Sequence, residues 1–117
     1  PTLVLGEGYQ AALGSGGSNR SRSAIVQVLT GLLQHNLSPE EAVARHRLHV
    51  EADLLSLEPG LDAARFKALP GLPPAVQQWQ AQSLFFGGVH LVRHFENGRL
   101  DAVGDPRRGG VGRTIGA

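Results

Sequence analysis

The 117-residue sequence contains no cysteine and no methionine. Without cysteine there is no disulfide framework, no thiolate metal site and no cysteine nucleophile. The absence of cysteine does not indicate whether the protein works in a reducing or an oxidising compartment. Because Pro1 is the first residue and methionine is absent, we expect the natural start of the protein to lie elsewhere. The sequence is therefore predicted to be a fragment or a processed subunit.

The chain also has little net charge and no long apolar run. Eleven Lys and Arg against ten Asp and Glu leave a net charge of +1, and aromatic residues make up 5% of the chain. This charge is too small to create a phosphate-binding field, so nucleic acid is not the expected partner. The longest nearly uninterrupted apolar stretch, residues 83–92, falls far short of the ~20 residues that span a bilayer, and no membrane span is predicted.

Glycine and proline are plentiful, with 16 and 7 residues, and they divide the chain into short elements. Hydrophobic patterning and turn residues predict strands over 2–5 and 9–13, a helix over 21–35, a short helix over 39–45, extended segments over 47–50 and 54–57, a helix over 62–69, and strands over 75–80, 88–95 and 99–103. Asn97-Gly98 predicts the tight turn of the last hairpin. Residues 105–117 are predicted to form a surface tail.

The glycine pair Gly16-Gly17 stands between a predicted strand and a predicted helix. Backbone N–H groups at the start of a helix point outward at its positive end, where they suit a phosphate or a developing oxyanion. The pattern alone also fits a plain turn, because neither a Walker lysine-serine pair nor a dinucleotide fingerprint accompanies it. Arg20 and Arg22 oppose the dipole of the same helix start, which indicates an anion or an acidic neighbour.

Histidine and arginine pairs offer two further candidate sites. His46 with His49 spans a helix-to-strand boundary, and His90 with His94 would lie about 13 Å apart along one strand, so neither spacing fits a metal site. We therefore predict no metal and no cofactor. Arg107 and Arg108 could clamp a carboxylate with their guanidinium groups, and the alternative is a solvated basic tail.

Several motifs together carry a family resemblance. Segment 14–51, which begins G-S-G-G-S-N-R, is followed by L-E-P-G (57–60), F-F-G-G-V-H-L-V-R (85–93) and G-D-P-R-R-G-G (104–110). In order and separation these motifs resemble the C-terminal part of the small subunit of γ-glutamyltranspeptidases, from Pro1 to about Gly110. The resemblance implies an α+β fold that forms part of a four-layer αββα sandwich of the N-terminal-nucleophile hydrolase type.

The resemblance also implies a chemistry and a set of site residues. Members of the family cleave themselves into two subunits, and the new N-terminal threonine attacks the γ-glutamyl amide of glutathione or a related compound. By resemblance, Gly16 and Gly17 form the oxyanion hole, Arg107 binds substrate, and Arg47 has a structural or maturation role. The residue before Arg47 is His46, where the family usually has proline.

The same resemblance implies what this sequence does not contain. The catalytic threonine is expected roughly 70 residues before the glycine pair, and the serine pair for the substrate's α-carboxylate is expected just before Pro1. The fragment alone is therefore predicted to be inactive. Its expected partners are the large subunit, the upstream part of the small subunit and a γ-glutamyl small molecule. A periplasmic or secreted location is implied by the resemblance only.

Two hypotheses remain open at this point. In the first, the chain is part of a γ-glutamyl hydrolase or transferase. In the second, it is a non-catalytic binding or assembly module built on a remnant of the same fold. Either way, part of a layered sandwich exposes sheet edges and an apolar face, so we expect the chain to form a homo- or hetero-oligomer.

Overall fold

A computed structural model describes residues 1–115 and contains both helices and strands. The strands are β1 (Thr2–Gly6), β2 (Tyr9–Gly16), β3 (Leu48–Glu51), β4 (Leu54–Leu57), β5 (Ala75–Gln78), β6 (Gly88–Phe95) and β7 (Leu100–Val103). The helices are α1 (Arg20–Leu33), α2 (Pro39–Ala44) and α3 (Ala63–Lys67), with 3-10 turns at Leu84–Phe86 and Pro106–Arg108. The predicted elements are thus all present, with boundaries shifted by a few residues.

The larger sheet has four antiparallel strands in the order β1-β2-β6-β7. Side chains alternate between its two faces because successive residues of a strand point to opposite sides. One face packs against α1 and α2 and forms the core, whose buried members are Leu13, Ala24, Val28, Ala42, Val43, Val89 and Leu91. On the opposite face, Leu3, Leu5, Val92 and Leu100 are exposed. We call these four residues and the strand surface around them the outer face.

The smaller sheet has the order β3-β4-β5, in which β3 pairs antiparallel and β5 pairs parallel with β4. Four consecutive residues, Leu55 to Glu58, are buried. Because successive side chains of a strand point to opposite faces, β4 is covered on both sides. Glu58 directly follows β4 and is 1% exposed, which brings a carboxylate into the interior. Burial of this kind requires a partner, because an unpaired charge in the interior is costly.

The start of α2 matches the sequence pattern. Ser38 Oγ accepts a hydrogen bond from the Glu41 N–H at 3.2 Å, and Glu41 Oε1 accepts one from the Ser38 N–H at 3.1 Å. This reciprocal capping box satisfies two N–H groups that would otherwise lack a partner at the helix end. It fixes where α2 begins and hence where the following loop, which carries Arg47, enters the core.

The surface tail predicted for residues 105–117 begins later than expected. Asp105 and Arg107 are buried, whereas residues 111–115 are exposed. The prediction was wrong for Asp105 and Arg107 because a glycine- and arginine-rich composition does not reveal that buried carboxylate and guanidinium groups pair with each other. Residues 116–117 of the predicted tail lie outside the described residues. None of the described helices is long and apolar enough to cross a membrane.

Candidate active site

Two glycine pairs meet where β2 ends and α1 begins. Gly16 is the register partner of Gly88 in the β2–β6 ladder, and Gly17 lies beside Gly87. Gly17 has φ +116°, and a Cβ placed on it would lie 3.5 Å from the Cα of Gly87. Gly87 has φ +86°, and a Cβ on it would lie 2.8 Å from Ser15 Oγ. The backbone angle therefore requires glycine at both positions, and at Gly87 the close approach to Ser15 requires it as well.

The backbone around Gly17 faces the positive end of a 14-residue helix. Gly17 O accepts a hydrogen bond from the Arg20 N–H at 3.0 Å, and Ser18 O accepts one from the Ser21 N–H at 3.1 Å. The Asn19 side chain makes no capping hydrogen bond, and the first turn contains no acidic residue. Among the described residues, no acceptor is bonded to the Gly17 N–H. A polarised donor is thus available at a place where negative charge is stabilised.

Two arginines flank the glycine pairs. The Arg108 side chain lies directly against Gly16 and Gly88, so that any Cβ on either glycine would collide with it. Arg20 donates from Nε to Phe85 O at 2.6 Å, and its guanidinium carbon lies 4.4 Å from the centroid of the Phe85 ring. Neither arginine forms an ion pair with a described residue. The acidic neighbour predicted for Arg20 is Glu51, whose pKa is lowered mainly by its hydrogen bond from His49 and in part by the charge of Arg20, without a direct ion pair between Glu51 and Arg20.

Behind the glycine pairs lies a buried cluster of two arginines and two carboxylates, which we call the buried ion cluster: Arg47, Glu58, Asp105 and Arg107. Arg47 Nη2 contacts Asp105 Oδ2 at 2.8 Å, and Arg107 Nη2 contacts Glu58 Oε1 at 2.6 Å. Asp105 also pairs with Arg107 at 3.1 Å. The two positive and two negative charges balance, which offsets the desolvation that each charge alone would suffer.

Arg107 uses all five of its side-chain N–H groups inside the chain. Nε donates to Glu58 Oε2, Nη2 to Glu58 Oε1 and to Arg45 O, and Nη1 to Asp105 Oδ1 and to Val43 O, at distances from 2.6 to 3.1 Å. Since a guanidinium has five donors, a substrate contact would require one of these bonds to break. The structure places Arg107 behind the site and its neighbour Arg108 beside the glycines.

Arg47 connects the cluster to the loop that faces Gly17. It is 1% exposed and donates from Nη1 to Phe86 O at 3.0 Å and from Nη2 to Val43 O at 2.9 Å. Phe86 immediately precedes Gly87, so this bond holds the loop that approaches the glycine pair. His46, at the position where the family has proline, is exposed and packs against Gly60.

The cluster changes the pKa values of its members. Burial by itself raises the pKa of Asp105, but N–H donation from Val89 and Arg107 and the nearby guanidinium charges lower it below its ordinary value. Burial and the charge of Arg107 lower the pKa of Arg47. For Arg107, burial acts to lower the pKa, yet its bonds to Glu58 and Asp105 raise it. The carboxylate of Asp105 is thus held in its charged form.

The histidine pairs lie where the strand geometry predicts. His90 and His94 are both exposed on β6, while His49 is buried on β3 with His46 exposed before it. Within residues 1–115, no group of three or more His, Asp, Glu or Cys side chains could hold a metal ion.

The chain is similar to known transpeptidases in sequence and in structure. The family model described as gamma-glutamyltranspeptidase matches residues 1–115. The transpeptidase CapD of Bacillus anthracis superposes with a TM-score of 0.84 at 24% identity, covering 98% of this chain and 69% of CapD. The W525D mutant of gamma-glutamyltranspeptidase from Pseudomonas nitroreducens gives 0.78 at 25% identity, covering 100% of this chain and 61% of the other. No curated protein matches the chain.

A more distant structure extends the likeness of fold. Cephalosporin acylase from Bacillus halodurans superposes with a TM-score of 0.77 at 19% identity, and this chain spans 20% of its length. With the family match and the likeness to the Pseudomonas nitroreducens enzyme, the α+β architecture, a helical layer on one face of the larger sheet and an exposed outer face, is part of the αββα sandwich of N-terminal-nucleophile hydrolases. From the family model over 115 of its 117 residues, the chain belongs to the γ-glutamyltranspeptidase family.

Proposed function

We propose that this chain supplies the oxyanion hole of a γ-glutamyl hydrolase or transferase. Gly16 and Gly17 donate backbone N–H bonds to the carbonyl oxygen of the γ-glutamyl amide as it becomes negative in the tetrahedral intermediate. The observation that carries the proposal is the Gly17 N–H, which has no acceptor among the described residues and stands at the N-terminus of α1. Such donors stabilise the transition state more than the ground state, and this difference accelerates the reaction.

The nucleophile in this proposal is an N-terminal threonine from an upstream segment. Its hydroxyl oxygen attacks the amide carbon, its own amine accepts the proton, and the leaving amine departs protonated. Water or an acceptor amine then releases the γ-glutamyl group. The large subunit and the upstream part of the small subunit complete the site by covering the outer face. The buried ion cluster keeps Gly87 and Gly88 against Gly16 and Gly17, so Arg47 and Arg107 act as positioning residues.

Gly17→Ala in the natural protein that contains this chain tests the proposal. The substitution forces φ +116° on a residue with a Cβ and moves the N–H away from the oxyanion. Loss of one such donor is expected to lower kcat for γ-glutamyl-p-nitroanilide hydrolysis by about 100- to 1000-fold. The matched control is Gly14→Ala, also on β2, because a Cβ there meets nothing within 4 Å.

Each outcome of this experiment separates the hypotheses. Unchanged hydrolysis in Gly17→Ala, with the protein folded, would exclude the oxyanion role. A natural protein without self-cleavage and without any γ-glutamyl hydrolysis would exclude the enzyme and favour a binding or assembly module. A loss of activity in Gly14→Ala equal to that in Gly17→Ala would assign the effect to the strand rather than to the donor.

A further inference from the structure

A serine, a histidine and a glutamate form a continuous hydrogen-bond chain. Ser23 Oγ lies 2.7 Å from His49 Nδ1, and His49 Nε2 lies 2.8 Å from Glu51 Oε1. Ser23 is on α1, whereas His49 and Glu51 are two residues apart on β3, so the chain joins two elements. His49 is 6% exposed, and neither ring nitrogen is left without a partner.

The order of these bonds is that of an activated nucleophile. When Glu51 accepts a hydrogen bond from Nε2–H, the neutral imidazole has its lone pair on Nδ1, where it accepts the hydrogen bond of the Ser23 hydroxyl. Serine hydrolases have the same order of acid, histidine and serine, but with the serine on Nε2 and the acid on Nδ1; here the serine is on Nδ1 and the acid on Nε2. The donor from His49 lowers the pKa of Glu51, so this carboxylate is charged at neutral pH.

A cavity adjoins Ser23. It has a volume of about 580 Å³, within the range of small-molecule sites, and Ser23 forms part of its wall. Most of the wall is apolar, from Val26, Leu48, Leu61 and Phe66. Arg45 and His46 also line the cavity and supply N–H groups. Nucleophile, apolar volume and polar donors therefore meet at this cavity, while the base His49 does not line it and contacts Ser23 from β3.

We propose that Ser23, His49 and Glu51 form a second acyl-transfer site, separate from the γ-glutamyl site, for carboxylic esters with an uncharged, apolar acyl group. The Ser23 oxygen forms a bond to the acyl carbon while its proton passes to His49 Nδ1. The ester C–O bond breaks, and the departing alcohol takes that proton. Water then cleaves the acyl-serine with the same proton transfers in reverse, which yields a carboxylic acid and restores both side chains. Arg45, on the cavity wall, donates to the carbonyl oxygen.

The substrate class follows from the cavity and from its position. The γ-glutamyl group carries an ammonium and a carboxylate, and the apolar wall offers no carboxylate partner for the former. An ester with a short alkyl acyl chain buries that chain against Leu48, Leu61 and Phe66 instead. Glu51, which contacts His49 and not the cavity wall, acts as a positioning residue.

The test uses the natural protein with a fluorophosphonate probe and with p-nitrophenyl butyrate. We expect the probe to label Ser23, as located by peptide mass spectrometry, and Ser23→Ala to lower ester hydrolysis by about 100-fold or more. Glu51→Gln is expected to lower kcat with little change in KM, and Glu51→Asp to restore part of it. The matched control is Ser21→Ala, because Ser21 Oγ bonds Ser18 O and does not contact His49.

The two variants and the two substrates distinguish this site from the γ-glutamyl site. Ser23→Ala is expected to retain γ-glutamyl-p-nitroanilide hydrolysis, and Gly17→Ala to retain ester hydrolysis. A protein that takes no label, or takes it only on a residue other than Ser23, overturns the second site whether or not the Ser23 variant folds. Ester hydrolysis that falls in Gly17→Ala and persists in Ser23→Ala overturns it as well, since the ester would then react at the γ-glutamyl site.

Discussion

At the scale of single residues, the neighbours Arg107 and Arg108 differ in burial and in the groups they contact. The sequence leaves a carboxylate clamp and a solvated basic tail open for this dipeptide, and the family resemblance implies that Arg107 binds substrate. Arg107 bonds two carboxylates of its own chain, Glu58 and Asp105, and is 7% exposed. Arg108 is exposed and lies against Gly16 and Gly88. We therefore expect Arg108 to bind a carboxylate of the substrate.

Arg108→Ala tests this role in the natural protein. Removal of the guanidinium takes away a charge-assisted bond of about 1.5–3 kcal/mol, so KM for γ-glutamyl-p-nitroanilide should rise by roughly 10- to 100-fold. The change in kcat should be smaller, because the bond exists before and during the reaction. Arg65→Ala on the exposed surface of α3 is the control with unchanged kinetics. An Arg108 variant with normal KM would contradict the assignment.

At the scale of elements, the buried ion cluster is the feature that local sequence patterns could not predict. The turn Glu58-Pro59-Gly60 was predicted and is confirmed, with Gly60 at φ +100°. The partner of Glu58 is Arg107, 49 residues further along the chain. The pairing of β2 with β6 joins residues still farther apart in the chain, whereas the hairpin at Asn97-Gly98 was predictable because its signal is local. Turns and helix caps can thus be predicted from neighbouring residues, whereas ion pairs between distant parts of the chain cannot.

Asp105→Asn tests how much the cluster contributes to stability. Asp105 bonds Arg47 and Arg107 from the turn that follows β7 and accepts from the Val89 N–H of β6 at 2.8 Å. Removal of the Asp105 charge leaves an uncompensated positive charge in the buried ion cluster. The free energy of unfolding, measured by urea titration, should therefore fall by about 3–5 kcal/mol. Asp53→Asn, at an exposed position, is the control and should change it by less than about 0.5 kcal/mol.

The lowered pKa of Asp105 also predicts a pH dependence. The unfolded carboxylate takes up its proton near pH 3.9, before the folded one does, so the cluster's contribution is complete above that pH. As the pH falls further, towards the folded pKa, the contribution is lost. The free energy of unfolding should therefore decrease steeply below about pH 4, and less steeply in Asp105→Asn. Equal slopes for the two proteins would contradict a role for Asp105.

At the scale of the whole molecule, the exposed outer face favours association of the chain with another polypeptide. The helical layer covers one face of the larger sheet, while Leu3 and Leu5 on the other are 76% and 80% exposed. Exposed apolar surface of this kind on a sheet marks a site of association. The family fold has a second sheet at this position, which fits the proposed cover by the large subunit and the upstream part of the small subunit. The sequence predicted such a face, but its members follow only from the strand register.

Leu3→Lys combined with Leu5→Lys separates association from folding. Both side chains point away from the core, so the free energy of unfolding of the chain by itself should change by less than about 0.5 kcal/mol for each substitution. Burial of two lysines under a second sheet carries the cost of desolvating two charges, so binding to the remainder of the protein, followed by analytical ultracentrifugation, should be lost. Leu69→Lys, which is exposed beyond α3, serves as the control and should bind normally. If the double variant still assembled, the outer face would be open to solvent in the assembled protein, and the second sheet would have to lie elsewhere.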